Sequence, residues 1–439
     1  MSWTTFWQWS PKRPASSEPP VPILATSSQK LPYDCLEHVT QYASNSQATL
    51  AALVVVSRDM NHLAIPYLYR RVYLKDGDRR CAAFLSYVIN NDLLARRVES
   101  FTLDVPLNTS VRGPLISALA RMRNLQHLNI LDLGELVRHD LSVLNVIQTL
   151  RSLCSIRLFI SFTPPFLRLL DRLPAMQRIH VEFSGHSEHD YHIDQLERLL
   201  LRSQDTLTHL VILGNYDLGR FLKGASNTRC RGVWTRMKQL SLSIDSWQSE
   251  LGAVIVARAF PNLTWLSTNA RLSNALAESD QLLFAQSLCL SWWREMPDKE
   301  FRSTFPRVVG TCTHLRHIGI ILHQEVLVPA LNTVFGVLNE LKSDPLAPAD
   351  LRYLSVSALK KKPDDYAFRA ELIGNEVEIG NLFAAFPQLQ AVVLALTETP
   401  SIWRCTAQAS GATRRCSRDL LRRDVDIVHY LGDMDGACD

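Results

Sequence analysis

LPYDCLEHVTQYASNSQATLAALVVVSRDMNHLAIPYLYRRVYL occupies residues 31–74 and sets the frame for the rest of the chain. Its apolar residues recur at helical spacing in three short runs. Leu36 and Val39 share a face; Leu50, Leu53, Val54 and Ser57 follow i, i+3, i+4, i+7; Met60, Leu63, Ala64, Tyr67 and Leu68 repeat the pattern. Three amphipathic helices running into a strand are predicted. About forty residues can hardly hide their own apolar surface, so a neighbouring domain or a partner has to cover it.

Beyond Leu74 a motif of the form apolar-x-x-apolar-x-apolar recurs. Copies are Val98-Phe101-Leu103, Leu125-Leu128-Ile130, Leu153-Ile156-Leu158, Met176-Ile179-Val181, Leu207-Leu210-Ile212, Met237-Leu240-Leu242, Leu315-Ile318-Ile320, Leu351-Leu354-Val356 and Leu389-Val392-Leu394. Leu263-Leu266 and Leu288-Leu290 are degenerate copies. Most successive starts lie between 23 (Leu153 to Met176) and 38 residues apart (Leu351 to Leu389). The last two apolar positions alternate as a strand does and point inward together. Helical returns are read at Phe166 to Leu170, Ile193 to Leu200 and Val326 to Leu341, and Pro174, Pro261 and Pro387 stop the chain between helix and strand. Arg79 to Arg97 is read as one capping helix with Cys81, Phe84, Leu85, Val88 and Ile89 on one face. Arg404 to Arg423 is read as a frayed helix or tail.

The order of residues in 31–74 resembles the F-box, which docks substrate receptors onto the Skp-type linker of cullin-RING ubiquitin ligases. The resemblance rests on Leu31-Pro32 with Asp34 and Leu36, on Val56-Ser57-Arg58, on Leu63-Ala64, and on the exit Pro66-Tyr67-Leu68-Tyr69-Arg70. Asp34 stands where the family usually has Glu, Ala43 where Leu is usual and Met60 where an aromatic is common, and the loop Ser44 to Ala48 reads as long. The resemblance implies that Leu31, Pro32, Asp34, Leu36, Val39, Leu50, Leu53, Val56 and Arg58 contact the linker protein. The later motif resembles leucine-rich repeats in an irregular form: their usual period is about 20 to 29 residues, and the longer intervals here imply inserted loops. It lacks the regular Asn after the strand, so the turns have to be tied differently.

The implied fold is α/β: a three-helix F-box-like module, then a leucine-rich-repeat solenoid with parallel strands on the concave side and helices on the convex side. The implied division is a disordered tail (1–30), the helical module (31–74), a capping helix (75–97), the repeats (98–400) and a C-terminal tail (401–439). As a fungal-type F-box and repeat receptor, the chain would hold an unknown protein target near a ligase. The alternative is a repeat scaffold that binds proteins without a ligase. Solvent-facing positions expected to read a target include Gln126, Arg157, Thr208, Lys238, Arg316 and Arg352, several of them basic.

Composition narrows the field. A formal charge of +4 over 439 residues gives no concentrated basic face for nucleic acid. Nine scattered cysteines without Cys-x-x-Cys argue against zinc ribbons and a disulfide framework, and for a reducing compartment, cytoplasmic or nuclear. The Pro- and Ser-rich start carries Trp3, Phe6, Trp7 and Trp9, a candidate docking or interfacial motif, but no secretory pattern. No phosphate loop or Gly-x-Ser-x-Gly elbow is present, so a non-catalytic protein without cofactor is expected. His186, His189, Asp190 and His192 carry metal-ligating chemistry at spacing that fits no helical ligand motif, and no metal is expected. Trp292-Trp293-Arg294 is a candidate partner anchor. Lys360 to Lys362 and the cluster Arg414, Arg415, Arg418, Arg422 and Arg423 read as solvated charge.

Overall fold

The computed structural model describes residues 31–74, 78–104, 109–131, 133–160, 164–183, 194–214, 222, 232–243, 256, 258–269, 285–292, 298–312, 314–322, 327–341, 348, 350–362, 376–397, 401–406 and 415–420. The readings made on residues 1–30, on the His186 to His192 stretch, and on Trp293, Arg294, Arg414, Arg422 and Arg423 lie outside them. The chain forms two compact units, Met1–Met176 and Gln177–Asp439.

The first unit opens with α1 (Tyr33–Tyr42), a 3-10 turn (Ala43–Asn45), α2 (Gln47–Val54) and α3 (Arg58–Leu68), which lead into strand β1 (Arg71–Leu74). It continues with α4 (Asp78–Asn90), α5 (Asp92–Ala95), β2 (Ser100–Leu103), α6 (Thr109–Arg121), β3 (His127–Ile130), α7 (Leu133–His139), α8 (Ser142–Thr149), β4 (Ser155–Ile160) and α9 (Pro164–Arg172). Strands β1 to β4 pair in parallel, each with the next in sequence. Phe101, Leu128 and Ile156 are in register and buried. Helices α4, α6 and α8 pack successively on one another.

The second unit repeats this logic with β5 (Arg178–Phe183), α10 (Asp194–Arg202), β6 (His209–Leu213), β7 (Gln239–Ser243), β8 (Trp265–Asn269), β9 (Ser287–Trp292), α11 (Asp298–Gly310), β10 (His317–Leu322), α12 (Leu327–Leu341), β11 (Tyr353–Lys362), α13 (Glu376–Ala385) and β12 (Ala391–Thr397). Strands β5 to β12 are parallel and in sequence order. Every motif copy, including the two degenerate ones, falls on a strand, so the fold is α/β and of the leucine-rich-repeat type. Just before β7, Trp234 fills the core: it is buried, donates its indole N–H to the Leu200 carbonyl in α10 at 3.0 Å and lies 5.5 Å from the Phe260 ring.

Four readings are corrected. Arg79 to Arg97 is two helices rather than one, because the Asn91 side chain accepts from the Leu94 N–H at 3.0 Å and caps a new helix. Arg404 to Arg423 contains no helix among its described residues. There β13 (Ser401–Thr406) and β14 (Arg415–Leu420) pair antiparallel, with β13 joined to β12. The Ser44 to Ala48 loop is replaced by the 3-10 turn and the first residues of α2. Ser57 leaves the face of Leu50 and Leu53, since α2 ends at Val54.

The missing repeat Asn has a substitute. Backbone N–H groups of residues 126 and 127 both donate to the Glu99 carbonyl, those of 154 and 155 to Gln126, and the same double donation recurs in the second unit on Thr208, Lys238, Gln286 and Arg316. Asn124 Nδ2 donates to the Arg96 carbonyl and Asn262 Nδ2 to the Thr235 carbonyl, both at 2.8 Å. An Asn placed before the motif, rather than after the strand, thus ties one repeat to the preceding one.

Candidate partner-binding surface

The head formed by α1 to α3 has a very small interior. Ala43, Leu50 and Ala64 are buried together, with Leu53, Val54, Tyr67 and Leu68 packed around them. Both α1 and α2 pack on α3. Serines start the second and third helices: Ser46 Oγ accepts from the Thr49 N–H at 3.3 Å and Ser57 Oγ from the Met60 N–H at 3.1 Å. Asn61 Nδ2 donates to the Val54 carbonyl at 3.0 Å and pins the end of α2 to α3. The one buried residue of α1, Thr40, donates its hydroxyl to the Leu36 carbonyl at 2.8 Å. Gln47 Nε2 donates to the Arg71 carbonyl and joins the head to β1.

Around this interior the head leaves apolar side chains in solvent. Leu31 is 63% exposed, Tyr42 93%, Val55 68% and Val56 67%, with Tyr33 and Val39 exposed as well. Val39 and Tyr42 stand one helical turn apart on α1. Val55 and Val56 occupy the turn that closes α2. Covering one such side chain is worth about 1.5 to 3 kcal/mol, so a partner seated on several would gain appreciably.

The residues named from the sequence divide accordingly. Leu31, Pro32, Asp34, Val39, Val56 and Arg58 are exposed, and Leu36 and Leu53 are half-buried. Leu50 is fully buried, so its expected partner contact is corrected: it forms the interior, because its position in α2 faces Ala43 and Ala64. The two departures from the F-box pattern at Ala43 and Met60 are also internal, at 8% and 4% exposure. They thin the packing of the head and leave its outer face untouched. Tyr33, Tyr42 and Val55 belong to the exposed face and were not among the expected contacts. The signal for Tyr42 lay in its spacing from Val39.

Gln126, Thr208, Lys238, Arg316 and Arg352 do not lie within strands as expected. Each sits immediately before one, at the carbonyl that receives the double backbone donation of the next repeat. Only Arg157 lies inside a strand, with its guanidinium 5.1 Å from the centre of the Phe159 ring. Trp292 ends β9, Lys360 to Lys362 end β11, and Arg415 and Arg418 lie in β14.

The face of the second unit's sheet opposite the motif leucines holds a polar cluster that the sequence did not announce. His317 on β10 is hydrogen-bonded through Nδ1 to Ser287 Oγ on β9 at 2.7 Å and through Nε2 to Ser355 Oγ on β11 at 2.9 Å. Burial pushes its imidazole down to about 4. Next to it, burial raises the Cys289 thiol to about 11, against a hydrogen bond with Ser267 that lowers it. Gly319 is boxed in: a Cβ there would come within 2.9 Å of Cys289 Sγ and 3.2 Å of Ser355 Oγ. A neutral, fully bonded histidine among small residues serves to lock three strands, and such a thiol is unreactive.

No family model matches the chain, and no curated protein does. Solved structures similar to it include the leucine-rich repeat-containing protein LegL7 from Legionella pneumophila, at 15% identity over 57% of this chain and 86% of that one, with a TM-score of 0.35. Another is the complex of Rad7 and Elc1 in yeast, at 12% identity over 82% of this chain and 87% of that one, with a TM-score of 0.39.

Proposed function

We propose that this chain is a substrate-recognition adaptor of a Skp-cullin-F-box type ubiquitin ligase. The head docks on the Skp-type linker protein while the repeats hold a protein target. The observation that carries this reading is the set of exposed apolar side chains on the head, Leu31, Tyr33, Val39, Tyr42, Val55 and Val56, around a small interior built on Ala43, Leu50 and Ala64. Such a surface is expected to be covered by another polypeptide. The adaptor makes no bonds itself; holding target and conjugating enzyme together raises their effective concentration to about the millimolar range. Its place of action is the cytoplasm, the nucleus or both.

The test is isothermal titration of the full chain with a purified Skp-type linker. Val39→Asp and Val56→Asp each put a charge on an exposed position, so folding is retained, and each is expected to weaken binding by about tenfold or more. Failure of the unmodified chain to bind, or equal binding by both variants, removes the ligase reading. The chain is then a repeat scaffold that binds proteins without a ligase.

A further inference from the structure

A second surface lies within the first unit and is independent of the ligase reading. A groove runs between α3 and the pair α4 and α5, in two lobes. The smaller, about 290 Å³, is walled by Val54, Ile65, Leu68, Tyr87 and Leu94. The larger, about 500 Å³, is lined by Tyr67, Arg70, Arg96, Glu99 and Asn124. Pro66, Leu93 and Arg97 belong to both lobes and mark their junction.

Three observations define what fits. Leu93 stands 80% exposed at that junction, an aliphatic side chain that its own unit does not cover. Tyr87, on the wall of the apolar lobe, is about half exposed. The charges of the other lobe are unevenly matched: Arg70 is paired with Glu99 at 2.6 Å and Arg96 with Asp92 at 2.7 Å, whereas exposed Arg97 has no ion-pair partner among the described residues. The groove therefore presents an apolar seat, an aliphatic ridge and, beside it, the Arg97 guanidinium, unpaired among the described residues.

We propose that this groove docks a short peptide segment of a protein partner that carries a large apolar side chain followed closely by a carboxylate. The apolar side chain enters the lobe between Ile65 and Leu94 and covers Leu93. The carboxylate takes Arg97, for which the guanidinium fork is suited. Arg70 and Arg96 are neutralised by their own carboxylates, so the unmatched positive charge that favours an acidic segment is that of Arg97.

The experiment uses the full chain and a fluorescein-labelled peptide of sequence Asp-Leu-Phe-Asp-Asp-Leu-Phe-Asp, read by fluorescence polarisation. Binding with a dissociation constant on the order of 10 to 100 µM is expected for a single short anchor. Leu93→Ser and Arg97→Glu, both at exposed positions, are each expected to weaken it by about tenfold, and Val56→Asp on the head is expected to leave it unchanged. A control peptide with every Asp replaced by Lys should not bind. The proposal is overturned if that control binds equally well, if both groove variants bind as the parent does, or if the acidic peptide fails to bind. Binding of a single-stranded oligonucleotide through Arg97 in place of the peptide also overturns it.

Discussion

Val56 closes the second helix of the head and Leu210 sits in β6; both are aliphatic, yet Val56 is 67% exposed and Leu210 1%. The same contrast holds for their surroundings. In the ladders, Phe101, Leu128, Leu240, Leu288, Ile318 and Val392 are all buried at 2% or less, because within each unit parallel strands in register present an apolar face to the packed helices. The head has no such layer. Three helices of ten, eight and eleven residues meet over Ala43, Leu50 and Ala64, and several of their apolar side chains, Val39 and Tyr42 among them, stay outside. A hydrophobic stripe in a sequence therefore states that a surface is to be covered, but not whether the cover belongs to the same chain.

The sharpest way to break this comparison is to shorten one side chain from each region. Leu210→Ala opens a cavity in a close-packed interior and is expected to cost about 2 to 5 kcal/mol, whereas Val56→Ala should change stability by less than about 0.5 kcal/mol. Urea midpoints of the full chain measure both. If Val56→Ala destabilises as strongly as Leu210→Ala, Val56 is part of an interior and the head is not a docking surface.

The regular part of the fold was legible because period-2 alternation is strict. From Phe101-x-Leu103 to Val392-x-Leu394 each pair marks a strand, and even the weak copies at Leu266 and Leu288 do so, since the ladder supplies the partners that local sequence lacks. Breaks inside apparently continuous patterns were not legible. Asn91 splits one apolar stripe into two helices by a side-chain cap, and the described residues of Arg404 to Arg423 lie in β13 and β14, because β12 offers β13 an edge and β13 offers one to β14. In the candidate surface, the resemblance to the F-box implied equivalent roles for Leu50 and Val39. Only the packing of α2 and α1 on α3 separates the buried one from the exposed one. The His317 cluster was invisible for a related reason: Ser287, His317 and Ser355 are about thirty residues apart and meet only through strand register.

That cluster sharpens the comparison from the ladder side, as a dependence of stability on pH. Folded His317 stays neutral down to about pH 4, whereas the unfolded chain takes up the proton near 6.5. The contribution is fully present above the unfolded value and is lost as pH falls through this window, because the unfolded state then binds the extra proton. At about 1.36 kcal/mol per unit the loss amounts to roughly 3 kcal/mol by pH 4. His317→Gln keeps hydrogen-bonding capacity and removes the titration. The difference between the two urea midpoints should shrink as pH falls from 7.5 to 4.5. An unchanged difference would show that His317 is solvated and that the strands around it are not locked.

The smallest expected effect comes from the head. Ser57 caps α3 through the Met60 N–H, and Ser57→Ala leaves that donor to water, for a loss of about 1 kcal/mol. Ser57→Asp restores an acceptor and adds a negative charge at the helix start, which the helix dipole favours, so it should recover most of that loss. Because the head contributes only a small interior, the change should appear in hydrogen exchange of the α3 amides, with the urea midpoint of the ladders scarcely moved. If Ser57→Ala instead shifts the global midpoint as far as Leu210→Ala does, head and strands unfold as one cooperative body. The exposure of Val39, Tyr42 and Val56 would then be a cost carried by the whole first unit rather than a local property of three short helices.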